Sequence, residues 1–199
     1  MRLLLLVPGK RNVITTLGTT IEAWDPYTAG HCQRLARYAA ALGRALGVNE
    51  STLKALWLGG FLHDLGKVAV PDRILLKPGP LDAGERSTIQ IHPVVGAEMV
   101  ESMRTLAGVR PIIRHHHERY DGSGYPDGLQ GDAIPLEARI MAVVDVYDAL
   151  HTARPYKAAW SHEHAVALLL RKTEAGAWDP QIVTTFLGVL GTLGPVVVP

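Results

Sequence analysis

Gly59-Gly-Phe-Leu-His-Asp-Leu-Gly-Lys67 sets an imidazole directly before a carboxylate, with a glycine two residues on and a lysine at its end. These supply a nitrogen ligand, an oxygen ligand that can bridge two cations, and a cation suited to phosphate. Leu53, Leu56, Trp57 and Phe61 recur at helical spacing behind Asn49 or Ser51 as caps. His63-Asp64 is therefore delivered near the C-terminal end of a helix. In a chain with nine His and 19 Asp plus Glu, an adjacent His-Asp is also common surface chemistry, so the pair acquires meaning only from its surroundings.

Working outward, helical periodicity with caps recurs and strand signals are scarce. Upstream, a helix is expected from Val13 to about Trp24, broken by Asp25-Pro26. A second has Thr28 as cap, an apolar stripe of Leu35, Ala39, Leu42 and Leu46, and Gly47 as its stop, leaving Arg34, Arg37 and Arg44 on wetter faces. Downstream, Pro71, Pro78, Gly79 and Pro80 predict a loop over Val70 to Leu81, and Asp82-Ala-Gly-Glu85 reads as a capping box for a helix reaching His92. Pro93 and Pro111 each suit the first turn of a further helix, the second leading into His115-His116-His117. Asp121 to Gly131 is dense in turn formers. Leu136–Leu150 then reads as a strong helix with Ile140, Val143, Val144 and Tyr147 inward, followed by one capped at Ser161 and a last one opened by Asp179-Pro180. The expectation is an all-α bundle of about seven to nine helices. Residues 17–199 form one domain, and 1–16 are a leading segment or the remnant of an upstream connection.

Bulk properties narrow the function classes. At 199 residues with 47% hydrophobic and 20% charged residues, the chain has ordinary globular values. A formal charge of +1 gives no global case for DNA, RNA or an anionic membrane surface, so an anionic ligand must be held by local cations. The single cysteine, Cys32, excludes an internal disulfide and a multi-cysteine zinc site. The apolar run Met1–Val7 is far short of the roughly 20 residues needed to span a bilayer, which makes the cytoplasm the expected location.

Potential ligands fall near helix ends and loop junctions at His31, His63, Asp64, His92, His116, His117 and Asp145. Five imidazoles and two carboxylates are about what two six-coordinate cations need once water fills the remaining positions. The set suits iron, manganese, zinc or nickel, and the lack of thiolates argues against a structural zinc knot. Asp145 interrupts the apolar run Met141-Ala-Val-Val-Asp-Val-Tyr-Asp148, where a carboxylate is costly unless a cation or hydrogen bonds compensate it. Asp148, one turn on, reads as a hydrogen-bonding support.

Taken together, these blocks closely resemble the HD-GYP branch of the HD metal-dependent phosphohydrolases. The resemblance runs in order through Asp25-Pro-Tyr-Thr-Ala-Gly-His31, His63-Asp-Leu-Gly-Lys67, Pro71-Asp-Arg-Ile-Leu-Leu-Lys-Pro-Gly79, His92-Pro-Val-Val-Gly96, His116-His-Glu-Arg-Tyr-Asp-Gly-Ser-Gly-Tyr-Pro126, Ile134-Pro-Leu-Glu-Ala-Arg-Ile140, Asp145-Val-Tyr-Asp-Ala-Leu150 and Arg154-Pro-Tyr-Lys157. It implies an HD-domain-like helical bundle and a bacterial cyclic di-GMP phosphodiesterase giving linear pGpG, and from it GMP. In this reading His31, His63, Asp64 and Asp145 hold one metal, His92, His116 and His117 hold the second, and Asp64 bridges them. The metals are expected to be iron or manganese, with zinc or nickel as alternatives. Family members that bind a third metal carry a glutamate four residues before the first ligand histidine; Tyr27 stands there, which points to a dinuclear site with a bridging hydroxide as nucleophile. Lys67, Arg154 and Lys157 resemble the family's phosphate contacts. A diguanylate cyclase (GGDEF) domain and an upstream sensor or receiver are the partners the resemblance suggests.

Plainer readings accompany several residues. His115 cannot share the site with both of its neighbours, since successive helical positions differ by about 100°. His151, His162 and His164 are expected in solvent, and Arg73 and Lys77 as solvated loop charges. Glu118 and Asp121 are candidates to support a ligand. Gly122-Ser-Gly-Tyr-Pro126 is either scaffold or a recognition loop. Two further functions stay open: a signalling or adaptor module that binds cyclic di-GMP with little turnover, and a phosphohydrolase of another cyclic nucleotide.

Overall fold

The computed structural model describes residues 8–24, 30–152 and 159–193, and these are all helix, turn and loop, without a strand. The helices are α1 (Pro8–Trp24), α2 (His31–Ala45), α3 (Glu50–Leu62), α4 (Asp72–Leu75), α5 (Ala83–Ile89), α6 (His92–Met99), α7 (Arg110–His115), α8 (Leu136–His151), α9 (His162–Glu174) and α10 (Pro180–Leu193). Nine of these have six residues or more, and α4 is a single turn. The all-α expectation of seven to nine helices is met. No described helix is long and apolar enough to cross a membrane.

The core lies where α2 packs on α3 and α8, with α7 and α10 closing its sides. The predicted stripe of α2 is buried at Leu35, Ala39 and Leu42, and Ile140, Val143, Val144 and Tyr147 of α8 face it. Tyr38, Tyr147 and Phe186 meet edge to face, which ties α10 to the same core. Asn49, Asp82 and Ser161 each accept a backbone N–H in the first turn of the helix they precede, and Asp82 with Glu85 forms the expected capping box. Thr28, the expected cap of α2, lies outside the described residues.

Three boundaries differ from the sequence expectation, each for a local reason. Helix α1 starts at Pro8, five residues before Val13, because proline suits a first turn. One turn of helix, α4, sits inside the segment expected to be loop: the Pro71 carbonyl accepts from Ile74 and Leu75 N–H, and Ile74 is buried. Helix α5 ends at Ile89, and His92 begins a new helix. Pro93 enforces this break, since inside one continuous helix its ring would clash with the Ile89 carbonyl. That carbonyl is thereby freed, and it accepts the Nδ1–H of His92 at 2.8 Å.

Close backbone approaches set the opening stretch against its neighbours. A Cβ on Gly60 would lie 2.5 Å from the Ala36 backbone nitrogen, so glycine lets α3 cross α2 at short range. Residues Leu65–Ala69 form a 3-10 turn that packs on α6. There a Cβ on Gly66 would lie 2.0 Å from the His92 carbonyl oxygen and 2.6 Å from the Gly96 nitrogen, both backbone atoms that cannot swing aside. Gly66 thus brings Asp64 within reach of His92. Gly66→Ala is expected to cost about 1–3 kcal/mol through overpacking; thermal unfolding should show Tm falling by roughly 2–4 °C for each kcal/mol lost in a domain of this size.

Candidate metal centre

The functional side chains converge because the histidines stand at helix ends. His31 is the first residue of α2, His63 caps α3, His92 opens α6, and His116 and His117 follow α7. Asp145 projects from the middle of α8. Two groups result: Asp64 with His92, His116 and His117, and Asp64 with His31 and His63. Within each group the potential ligand atoms lie within 4.8 Å of one another.

Asp64 belongs to both groups, and its two oxygens face different sides. Oδ1 is 3.2 Å from His92 Nε2 and 3.9 Å from His116 Nε2. Oδ2 is 3.2 Å from His63 Nε2 and 2.9 Å from Lys67 Nζ. Asp145 joins the His63 side, with Oδ1 3.4 Å from His31 Nε2. The structure thus brings His31, His63, Asp64, His92, His116 and His117 into two groups that share Asp64, with Asp145 beside His31. Lys67 lies against Asp64, while Arg154 and Lys157 fall outside the described residues.

The surroundings orient the imidazoles. His92 Nδ1–H donates to the Ile89 carbonyl, and His116 Nδ1 is 3.0 Å from the carbonyl of Ile113 and 3.2 Å from that of Ile112, at the C-terminal end of α7 where the Ile112 carbonyl also accepts the His116 backbone N–H. His31 Nδ1 is 2.7 Å from Asp148 Oδ2, which Arg34 grips through Nε at 2.6 Å to Oδ1 and Nη2 at 3.0 Å to Oδ2. With Nδ1 engaged, each of these rings turns the Nε2 lone pair inward, the usual arrangement around a metal-binding histidine. His63 is the exception. It is 1% exposed, and neither ring nitrogen has a hydrogen-bond partner.

Nε2 of His63 lies 3.2 Å from Asp64 Oδ2 without an aligned hydrogen bond, and a cation between His63, His31 and the Asp64 carboxylate would take up its lone pair. The donor set, imidazole and carboxylate without thiolate, fits a divalent transition metal. Protonation states agree. Burial, reinforced by neighbouring imidazoles, pushes His116 well below the usual histidine range. His117 is lowered to about 4, again chiefly by burial. Burial would raise Asp64, yet Lys67 and His63 beside it hold its carboxyl well below the usual range. Burial would lower His63 too, but the adjacent Asp64 carboxylate raises it. At neutral pH the site offers an ionised Asp64 carboxylate with His116 and His117 neutral.

A third grouping, His115 with Glu118 and Asp127, has another purpose. Asp127 is forked by Arg114, both contacts at 2.8 Å, and Glu118 accepts the backbone N–H of Asp127 at 2.7 Å and of Leu129 at 3.2 Å. Glu118 thus anchors the glycine-rich loop and does not orient a ligand histidine as the sequence reading allowed. Asp121 turns back on the N–H of Ser123 and supports the same loop. Anchored so, the loop stacks Tyr125 on His117, with centroids 4.8 Å apart and planes at 29°. His115 points to the anchor, not to the ligand cluster. His162 is exposed, as expected, and also pairs through Nδ1 with the Tyr147 hydroxyl at 2.9 Å.

Arg34 is the residue the sequence reading missed. It was placed on a wet face, yet its side chain is only 12% exposed and fastens Asp148 behind His31. Its position three residues after His31, on the same helix face, is the signal that could have found it.

An HD domain family model matches residues 16–182. The chain belongs to the HD domain family, in the HD-GYP branch that its motifs indicate. Over 180 residues it is 43% identical to the cyclic di-GMP phosphodiesterase response regulator RpfG of Xanthomonas campestris pv. campestris, covering 89% of this chain and 47% of that protein. Over 179 residues it is 40% identical to the 3'3'-cGAMP-specific phosphodiesterase 2 of Vibrio cholerae, covering 89% of this chain and 34% of that protein. The chain thus spans between a third and a half of the length of these relatives. The HDG"Y"P protein Bd1817 of Bdellovibrio bacteriovorus shares the fold, with a TM-score of 0.66 at 23% identity over 81% of this chain and 51% of that one.

Asp148→Asn keeps the shape of the side chain but removes the charge shared by Arg34 and His31. It is expected to weaken divalent-cation binding about 10- to 100-fold, measured by titrating the metal-stripped protein with Mn2+. A variant that binds as tightly as the wild type would show that His31 needs no such support.

Proposed function

We propose that the chain is a cytoplasmic phosphodiesterase acting on cyclic di-GMP, opening one phosphodiester to leave linear pGpG, with GMP as a further product. The observation that carries this is the division of Asp64, one oxygen toward His92 and His116 and the other toward His63. Such a carboxylate suits two cations side by side, which we assign as iron or manganese, with zinc or nickel as alternatives. When bound, such a pair activates water at neutral pH and neutralises charge on phosphoryl oxygens.

The chain's own residues would do the rest. His31, His63 and Asp145 would hold one cation, His92, His116 and His117 the other, and Asp64 both. Lys67, now 2.9 Å from Asp64, would turn its ammonium to a phosphate oxygen once cations take over the carboxylate's charge. Arg154 and Lys157 complete the phosphate-binding set in this proposal, the first by forked hydrogen bonding. Tyr125, stacked on His117, limits the room around that ring. Residues 17–199 are the unit assigned this activity.

The names of the relatives support the reaction class and also favour a second substrate. Among the similar proteins are both cyclic di-GMP and 3'3'-cGAMP phosphodiesterases, so competition between these dinucleotides in one assay decides between them. The response-regulator relative also supports a sensor or receiver as partner, and the loop at Tyr125 offers a surface to a diguanylate cyclase (GGDEF) domain.

Asp64→Ala removes the shared ligand. Turnover of cyclic di-GMP under anaerobic, iron-replete conditions should fall by at least about 100-fold, as expected when a term worth several kcal/mol in charge stabilisation is lost. Unchanged turnover would sink the dinuclear reading, and a wild type that binds cyclic di-GMP without hydrolysing it would favour the adaptor module.

A further inference from the structure

A cleft of about 400 Å³ leads from His116, His117 and Asp145 to a wall that belongs to none of the ligand groups. Part of that wall is apolar, built from Leu81, Ile89, Val146 and the indole of Trp178. Its polar part includes Arg86, Gln90 and Arg119, and the loop Ser123–Tyr125 borders it. Arg86, Ile89 and Gln90 stand at i, i+3 and i+4, so one face of α5 and its C-terminal residue lines the cleft.

The side chains of Arg86 and Gln90 make no hydrogen bond or ion pair with the described residues. Other arginines near the centre are committed: Arg34 to Asp148, Arg114 to Asp127, Arg139 to Asp132 and Asp179. Beside the cleft, then, an arginine fork and an amide stand open, one helical turn apart, next to flat apolar surface. A planar ring with acceptors on its edge matches that combination. Guanine presents O6 and N7 side by side, which a guanidinium meets with two parallel N–H donors. The indole and Ile89 offer stacking area, which a second phosphate would leave unused.

We propose that Arg86 and Gln90 read the edge of one purine of the cyclic dinucleotide, in a specificity subsite separate from the metal centre. Arg86 takes the O6 and N7 of guanine, Gln90 donates and accepts beside it, and Trp178 lies against the ring. This rests on the proposed phosphodiesterase reading, and it adds what distinguishes guanine from adenine.

The test compares wild type with Arg86→Ala, Gln90→Ala and Arg86→Lys, on cyclic di-GMP, cyclic di-AMP and the base-free diester bis(p-nitrophenyl) phosphate. Arg86 is exposed and Gln90 only half-buried, so none of the three disturbs the core. Arg86→Ala should raise KM for cyclic di-GMP roughly 5- to 100-fold, the range of a forked contact to guanine, with kcat little changed. The base-free diester and cyclic di-AMP should be unaffected. Arg86→Lys should behave like the alanine variant, because an ammonium lacks the fork. An unchanged KM in Arg86→Ala, restoration by Arg86→Lys, or a parallel loss on the base-free diester would each overturn the assignment. Calorimetry separates this from the activity: wild type that binds cyclic di-GMP, loses it on Arg86→Ala and never hydrolyses it would uphold the subsite while defeating the phosphodiesterase reading.

Discussion

One carboxylate, Asp64, stands between two sets of buried imidazoles, and the arrangement of the bundle can be understood as the means of placing it there. A single negative charge in contact with His63, His92 and Lys67 has partners on several sides. The local fold is committed to that arrangement in advance. Gly66 brings the turn after Asp64 into backbone contact with α6, and Pro93 begins α6 where His92 can use the Ile89 carbonyl.

Around this point the protein separates rigid support from working atoms. Asp148 and Arg34 hold His31, and main-chain carbonyls hold His92 and His116; neither Asp148 nor Arg34 lines the cleft. Preorganisation of this kind moves the entropic cost of assembling a site into folding, so that binding need not meet it again. His63 is left without a hydrogen-bonded support, in the ring that joins Asp64 to the His31 side.

The fold class was legible because caps and apolar spacing agree along the chain, from the Leu35–Leu42 stripe of α2 to the inward face of α8. The clustering of these residues was legible because histidine and aspartate stand out beside helix ends in ordered family motifs. What could not be read were relations across the chain. Arg34 and Asp148 are 114 positions apart, and no periodicity links them. Glu118 looked like a ligand support from its neighbours in sequence, whereas its partners are the backbone amides of Asp127 and Leu129. The fresh start at Pro93 was legible from the proline, whereas the end of α5 at Ile89, three residues before the expected His92, was not.

The placement of ligands at the ends of four different helices has a consequence for how the molecule holds together. Cations bound there would act as cross-links among α2, α3, α6 and α7, joining segments from His31 to His117. Ligands of that kind are coupled to folding, because the unfolded chain holds no such cavity. The metal is then as much a keystone of the bundle as a reagent within it, and the supply of cation sets how firmly the helices are clamped.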